Sequence, residues 1–197
     1  MPHCLSKKIS LVHIPKNAGT AISKHLNLSR IGHYSIENEK ALNPDHFFFY
    51  IKRNPFSRFI SSFQYAKMKN SHWHNESSLH HDFKTLYNCG ISKCIDLLLD
   101  GKLSHYGWSK QTKWIKQKDE NPIPIYSLSF ESLESDLKKM FSDLNIKAPE
   151  CIPKINSSTK ISNISLNKEQ KNTLYEYYKE DFDFLGYDKN MLYSPLG

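Results

Sequence analysis

Residues 7–26 read KKISLVHIPKNAGTAISKHL and decide the predicted fold. The apolar run Ile9–Ile14 is typical of a buried strand, Pro15–Gly19 supplies a tight loop, and a helix is predicted from Thr20. Unpaired amides and the dipole at the start of such a helix attract anions, and Lys16 adds a full positive charge. Phosphate or sulfate is therefore the expected ligand, with an ordinary strand–turn–helix corner as the alternative interpretation.

The residue order in this loop separates it from the Walker A loop, in which the lysine follows the glycines. Here Lys16 precedes Gly19. The segment resembles the 5′-phosphosulfate loop of sulfotransferases that use 3′-phosphoadenosine 5′-phosphosulfate (PAPS), and most closely the PKTAGTS or PKTGGTS loop of their carbohydrate-type branch. By that resemblance, the donor-binding residues of the loop are Pro15, Lys16, Asn17, Ala18, Gly19, Thr20 and Ala21.

A second motif follows a second apolar strand, which is predicted at His46–Lys52. Arg53 comes directly after this strand, and Asn54-Pro55 is typical of a helix start, since asparagine caps helices and proline suits the first helical position. The segment RNPFSRFIS resembles the 3′-phosphate site of the same sulfotransferases. The resemblance implies that Arg53 and Ser61 bind the 3′-phosphate of the donor, and the two motifs in this order are a specific pattern.

The resemblance also implies a general base between the two motifs. His33 is the expected base, because an imidazole that titrates near neutrality suits removal of a proton from an attacking hydroxyl. Glu37, about one helical turn further on, and His13, at the end of the first strand, are the alternatives. Lys16 is expected to neutralise the charge that grows on the bridging oxygen of the donor.

Weaker resemblances to the family extend as far as Tyr187. Gln111 occupies the region of a family glutamine, and residues 130–137 (FESLESDL) resemble the family segment FENLEEDL. Residues 152–158 resemble LPHLN-x-S, with Lys154 in place of the usual histidine, and residues 178–187 resemble YKEDFELFGY. The resemblance therefore covers nearly the whole chain.

Composition is consistent with one domain and an anionic partner. With 197 residues and 39% apolar residues, the chain is long enough for one sizeable core, and residues 1–197 are predicted to form a single domain. A net charge of +7 favours a nucleotide or an acidic glycan, whereas the scattered lysines give nucleic acid little support. Met1–Ser10 is too short and polar for a signal peptide and no long apolar run is present, so a cytoplasmic location without a transmembrane segment is predicted.

The expected fold is a three-layer α/β/α domain with a small central parallel sheet, similar to the P-loop NTPase fold. Nucleotide is expected across the carboxyl ends of the strands. Besides the elements above, the pattern predicts a strand at Ile123–Leu128 and helices at Thr20–Leu28, Ile36–Leu42, Ile91–Leu99, Phe130–Leu144 and Asn167–Asp183.

The predicted reaction is sulfuryl transfer from PAPS to an acceptor hydroxyl, which leaves adenosine 3′,5′-bisphosphate and needs no metal. The family resemblance implies a carbohydrate acceptor, and a small hydroxyl compound is the alternative acceptor. A magnesium-dependent small-molecule kinase and a non-catalytic nucleotide- or glycan-binding module are the alternatives. The histidine-rich stretch 67–83, with His72, His74, His80 and His81 around Trp73, allows three interpretations: a metal site, an acceptor-binding lid or a solvated excursion. The sequence gives no indication of oligomeric state.

Overall fold

The computed structural model describes residues 3–4, 8–29, 32–68, 71, 85–118, 120–147 and 164–190. These residues form two compact units. The first unit falls within residues 1–53 and 111–158, and the second within residues 54–110 and 159–196. The predictions made for residues 72–83, 152–158 and Lys154 lie outside the described residues.

The first unit is built on a sheet with the strand order β1-β2-β3-β4. Its strands are β1 (His3–Cys4), β2 (Ile9–Val12), β3 (Phe47–Lys52) and β4 (Ile125–Ser129). β3 runs parallel to both β2 and β4, and β1 pairs antiparallel with β2. Because β2, β3 and β4 are parallel, their carboxyl ends meet at one edge of the sheet.

The helices of the first unit are α1 (Gly19–His25), α2 (Ile36–Leu42), α5 (Thr112–Ile115) and α6 (Leu133–Asp143). Helix α6 buries the apolar positions expected from its periodicity, Leu133, Leu137, Met140 and Phe141, in a core shared with strand residues such as Phe49 and Leu128. Helix α2 begins where predicted, and the Ser35 hydroxyl accepts a hydrogen bond from the Asn38 amide at 3.4 Å.

The second unit contains α3 (Pro55–Ala66), α4 (Ile91–Leu99) and α7 (Lys168–Leu185). As the sequence predicts, Asn54 caps α3: its Oδ1 accepts hydrogen bonds from the amides of Phe56 at 2.9 Å and Ser57 at 3.4 Å. Asn167 and Gln170 form a reciprocal capping box at the start of α7. The core of this unit combines aromatic and aliphatic side chains, and the rings of Phe56 and Phe182 lie 4.8 Å apart.

The predicted α/β class with a small parallel sheet is confirmed, and the element ends differ for local reasons. β2 ends at Val12 rather than Ile14, because the chain turns there and the Ile14 amide donates to the Val12 carbonyl at 3.1 Å. α1 ends at His25 rather than Leu28, because Asn27 has a φ of 52°, which the helix cannot continue.

Three further bounds differ in the same way. β4 begins at Ile125 rather than Ile123, since Pro124 has no amide to donate to a neighbouring strand. The helix predicted from Phe130 opens with a 3₁₀ turn, Phe130–Ser132, before α6. α7 extends to Leu185 and ends at Gly186, which has a φ of 71°.

Within the described ranges, no helix combines the length and the apolar character that crossing a membrane requires.

Candidate donor-binding site

The loop between β2 and α1 has an unusual backbone. Lys16 and Ala18 have φ angles of 69° and 62°, in the left-handed region that side chains with a Cβ rarely adopt. Asn17 between them is not left-handed, so the backbone conformation alternates along the loop. Alternation of right-handed and left-handed residues is typical of the backbone concavities that bind anions. The two residues cost on the order of 1–2 kcal/mol each in backbone strain, which the surrounding contacts must offset.

Asn17 anchors the loop to the end of β3. Its side chain is 1% exposed, and Nδ2 donates hydrogen bonds to the Ile51 carbonyl and to Gln111 Oε1, both at 2.6 Å. The Oδ1 atom is buried without a hydrogen-bond partner among the described residues. Since both donors of the amide are used, Asn17 holds the strained segment in place.

Arg53 reaches this loop from the end of β3. Its Nη1 donates to the Lys16 carbonyl at 3.0 Å, and its Cζ lies 4.0 Å from the centroid of the Phe130 ring. This distance is within the range of a cation–π interaction. The site therefore carries two basic residues, Lys16 and Arg53, with the guanidinium of one held against the main chain of the other.

Gly19 is required at the start of α1 because of His13. A Cβ built on Gly19 would overlap the imidazole ring of His13. The ring is 4% exposed and has little room to move away. A residue with a side chain at position 19 would therefore disturb the junction between the loop and α1.

His33 lies against His13. Its Nδ1 is 2.7 Å from the His13 carbonyl, and the two ring centroids are 4.2 Å apart. Because a carbonyl only accepts, Nδ1 must carry the hydrogen, and in the neutral ring the lone pair then resides on Nε2. The ring of Trp114 lies 5.9 Å from that of His33. The predicted base thus has the tautomer that a proton acceptor at Nε2 needs.

His13 and Glu37, the alternative bases, have different surroundings. Burial, followed by the charge of His33, lowers the pKa of His13 to about 3, and a backbone interaction with Gly32 offsets only part of this. Glu37 is exposed on α2, and its Oε1 accepts a hydrogen bond from the Lys118 amide at 3.4 Å.

The other residues predicted to bind the sulfuryl donor differ in solvent exposure. Thr20 is exposed, Pro15 is buried, and Ala21 is half-buried. Ser61 is half-buried on α3 in the second unit. Its position gives no further information on the predicted 3′-phosphate contact, which stays a prediction.

Arg58, which shares the second motif, is buried rather than solvated. It is 2% exposed, Nη1 donates to the Ser109 carbonyl at 2.8 Å, and Nη2 donates to the Gly107 carbonyl at 3.2 Å. Burial lowers the pKa of Arg58, while Tyr178 and Asp181 act in the opposite direction. Arg58 is thus a core cation that fixes main-chain carbonyls.

Two residues of the site were not recognised from the sequence for what they do. Gln111 bonds to Asn17 and to the backbone of Arg53, and Phe130 carries the Arg53 guanidinium on its ring. Both lie in segments that resemble the family, which was the only available signal. Among the described residues, no group of three or more His, Cys, Asp or Glu side chains is arranged to hold a metal ion.

Comparison with known proteins finds a family model that matches nearly the whole chain. A family model described as "Sulfotransferase family" matches residues 4–188. The chain matches no curated protein and no solved structure. The matched range includes both sequence motifs and most of both units.

Proposed function

The chain belongs to the sulfotransferase family, and we propose that it transfers the sulfuryl group of PAPS to a hydroxyl group of a carbohydrate, leaving adenosine 3′,5′-bisphosphate. The family match extends across residues of both units, which supports treating residues 1–197 as a single sulfotransferase domain. The reaction forms a bond between the acceptor oxygen and sulfur and breaks the bond between sulfur and the bridging oxygen. The proton of the acceptor passes to a base.

The donor is assigned from the loop and Arg53 together. The observation that carries the assignment is the strained loop at Lys16–Ala18, pinned by Asn17 and joined to Arg53 through the Lys16 carbonyl. In the proposal, amides from Asn17 to Ala21 and the Thr20 hydroxyl bind oxygens of the 5′-phosphate and the sulfuryl group. A preorganised loop of this kind needs little reorganisation when the charge shifts during transfer.

In the proposal, two positively charged side chains act on different negatively charged groups of the donor. Lys16 neutralises the negative charge that develops on the bridging oxygen as the sulfuryl group leaves. Arg53 binds the 3′-phosphate, and the motif adds Ser61 as a second donor there. A guanidinium suits a phosphate because it offers several N–H donors in one plane. Recognition of a 3′-phosphate would select PAPS over ATP.

His33 is the proposed base. Its hydrogen bond to the His13 carbonyl fixes the ring with the hydrogen on Nδ1, so the lone pair of the neutral ring is on Nε2. Glu37 is the second candidate. His13 is the weakest of the three, because a group with a pKa of about 3 has little tendency to take a proton at neutral pH.

A carbohydrate acceptor is proposed from the family branch and from charge. The PKNAGT loop resembles the carbohydrate-type branch, and the net charge of +7 favours an acidic glycan over a neutral alcohol. Transfer of this kind relies mainly on positioning and on charge stabilisation, so the proposal requires no metal ion.

A label-transfer assay tests the proposal. The full chain is incubated with ³⁵S-labelled PAPS and desulfated glycosaminoglycan oligosaccharides, with p-nitrophenol as a small hydroxyl acceptor in a parallel reaction. We expect label on the oligosaccharides, and a loss of about 10²- to 10³-fold in rate for Lys16→Ala, as for removal of one charge-stabilising group. Lys138→Ala is the matched control, because Lys138 pairs with Glu134 on the exposed side of α6.

A parallel reaction with a second labelled donor separates the sulfotransferase from the kinase. Phosphoryl transfer from γ-labelled ATP with Mg²⁺, without transfer from PAPS, would contradict the sulfotransferase assignment and favour a kinase. Label transferred to p-nitrophenol alone would contradict the carbohydrate acceptor while supporting the donor.

A further inference from the structure

On the side that faces β2, the end of β3 is completed by side chains, whereas on the other side it pairs with β4 up to Lys52. The ladder between β2 and β3 ends at the pair Val12 and Tyr50, where β2 turns into the loop. Ile51 and Arg53 lie beyond that point, and alternate residues of a strand direct their peptide groups to the same side. Buried or half-buried peptide groups at this place need other partners.

Gln111 supplies these partners for Arg53. Its Nε2 donates to the Arg53 carbonyl at 2.8 Å, and its Oε1 accepts from the Arg53 amide at 3.1 Å. The side chain of Gln111 therefore pairs with both main-chain groups of Arg53 as a strand residue would. The two residues are 58 positions apart in the sequence, so this pairing is a tertiary contact.

Gln111 also holds the loop. Its Oε1 accepts the second hydrogen of Asn17 Nδ2 at 2.6 Å, while the first goes to the Ile51 carbonyl. The orientation of each amide is fixed by chemistry, since a flipped Gln111 would oppose donor to donor at the Arg53 amide. Gln111 is fully buried, so water does not compete for these bonds.

We propose that Gln111 is a positioning residue of the donor site, which fixes the Arg53 main chain and the loop at Asn17 relative to each other. The inference rests on the proposed function, because it assumes that Arg53 binds the 3′-phosphate of the donor. Without Gln111, Asn17 keeps its bond to Ile51, whereas Arg53 loses both of these main-chain bonds. The 3′-phosphate contact should therefore suffer more than the contacts made by the loop.

The chain contains a closely matched control. Gln117 Nε2 donates to the Ile123 carbonyl at 2.9 Å, and Gln117 Oε1 accepts from the Ile123 amide at 2.6 Å. This is the same two-bond arrangement between a glutamine and one residue's main chain, in the same unit. No role in donor binding is assigned to either residue of that pair.

The experiment compares Gln111→Met with Gln117→Met in the full chain. Methionine keeps the length of glutamine and removes its hydrogen bonds. Calorimetry gives the dissociation constants of adenosine 3′,5′-bisphosphate and 5′-AMP. The dissociation constant of 5′-AMP divided by that of the bisphosphate measures recognition of the 3′-phosphate. We expect Gln111→Met to reduce this ratio by about tenfold or more, which corresponds to loss of a well-placed charged contact. Gln117→Met should leave the ratio within about twofold of wild type, even where its melting temperature falls.

A second variant covers the case in which Gln111→Met does not fold. Gln111→Glu keeps an acceptor for the Asn17 side chain and the Arg53 amide but places a carboxylate oxygen against the Arg53 carbonyl, so the ratio should again fall. An unchanged ratio in the folded Gln111 variants would overturn the inference, as would an equal loss of affinity for both nucleotides. Wild-type protein that binds the two nucleotides equally would instead refute the PAPS assignment itself, and the positioning role with it.

Discussion

The buried imidazole of His13 predicts how the stability of the protein depends on pH. In the folded chain its pKa is lowered to about 3, mainly by burial and then by the charge of His33. In the unfolded chain the pKa returns to about 6.5. Below pH 6.5 the unfolded chain therefore binds a proton that the folded chain does not, and stability falls as the pH decreases from 6.5 towards 3.

The magnitude follows from these two pKa values. Each pH unit within the window costs up to about 1.4 kcal/mol for one proton, so the free energy of unfolding should be about 2 kcal/mol lower at pH 5 than at pH 8 through His13 alone. Other titrating groups add their own dependence, which a variant without the imidazole isolates. In His13→Met, the difference in stability between pH 5 and pH 8 should be smaller than in wild type by this amount.

Urea denaturation at pH 5, 6, 7 and 8, followed by tryptophan fluorescence, measures this difference for both proteins. NMR of the histidine ring protons gives an independent check, since the His13 resonances should not titrate above about pH 4. Titration of His13 near pH 6.5 in the folded protein would refute the reasoning. The same would hold if wild type and His13→Met lost equal stability between pH 8 and pH 5.

Three further substitutions, with Gly90→Ala as a control, test local interactions that stabilise the fold. In urea denaturation, Gly19→Ala should lower the free energy of unfolding by about 1–3 kcal/mol, because the new Cβ would overlap the His13 ring, although alanine is the better helix former. Gly90→Ala is the control: its Cβ would meet open space, so the free energy of unfolding should change by less than about 0.5 kcal/mol. Arg58→Lys should cost about 2 kcal/mol, since the ammonium cannot reproduce the two-pronged donation of the guanidinium, and a change near zero in urea denaturation would show that this geometry is unimportant. Asn167→Ala should cost about 1 kcal/mol by removing the cap of α7, and an unchanged helical signal and melting temperature in circular dichroism would contradict a stabilising role for that cap.

Local sequence patterns were sufficient to predict much of the fold. Helix α4 has the predicted bounds Ile91–Leu99, and Arg53 follows β3 directly, as the apolar run before it indicated. Strands β2 and β3 are each a nearly continuous run of apolar residues, which is typical of parallel strands buried on both faces. Signals of this kind arise from residues close together in the chain, and these are the features that a single sequence reports best.

The contacts that shape the candidate site are not local. Gln111 is 94 residues from Asn17 and 58 from Arg53, so no pattern along the chain indicates that these polar groups meet. The guanidinium of Arg58 reaches carbonyls about fifty residues further along the chain, and no local pattern indicates these contacts. The left-handed backbone at Ala18 is equally hidden, because alanine is not a residue that favours this conformation. Only the three-dimensional arrangement identifies these interactions.

The most direct test of the proposed function is to measure whether Arg53 recognises the 3′-phosphate of the donor. Calorimetric titration of wild type and Arg53→Ala with adenosine 3′,5′-bisphosphate and with 5′-AMP measures it without knowledge of the acceptor. We expect wild type to prefer the bisphosphate, and Arg53→Ala to reduce that preference by about 10- to 100-fold, as for loss of a charged hydrogen bond. Equal affinity of wild type for the two nucleotides, or an unchanged preference in Arg53→Ala, would contradict the assignment of this site to PAPS.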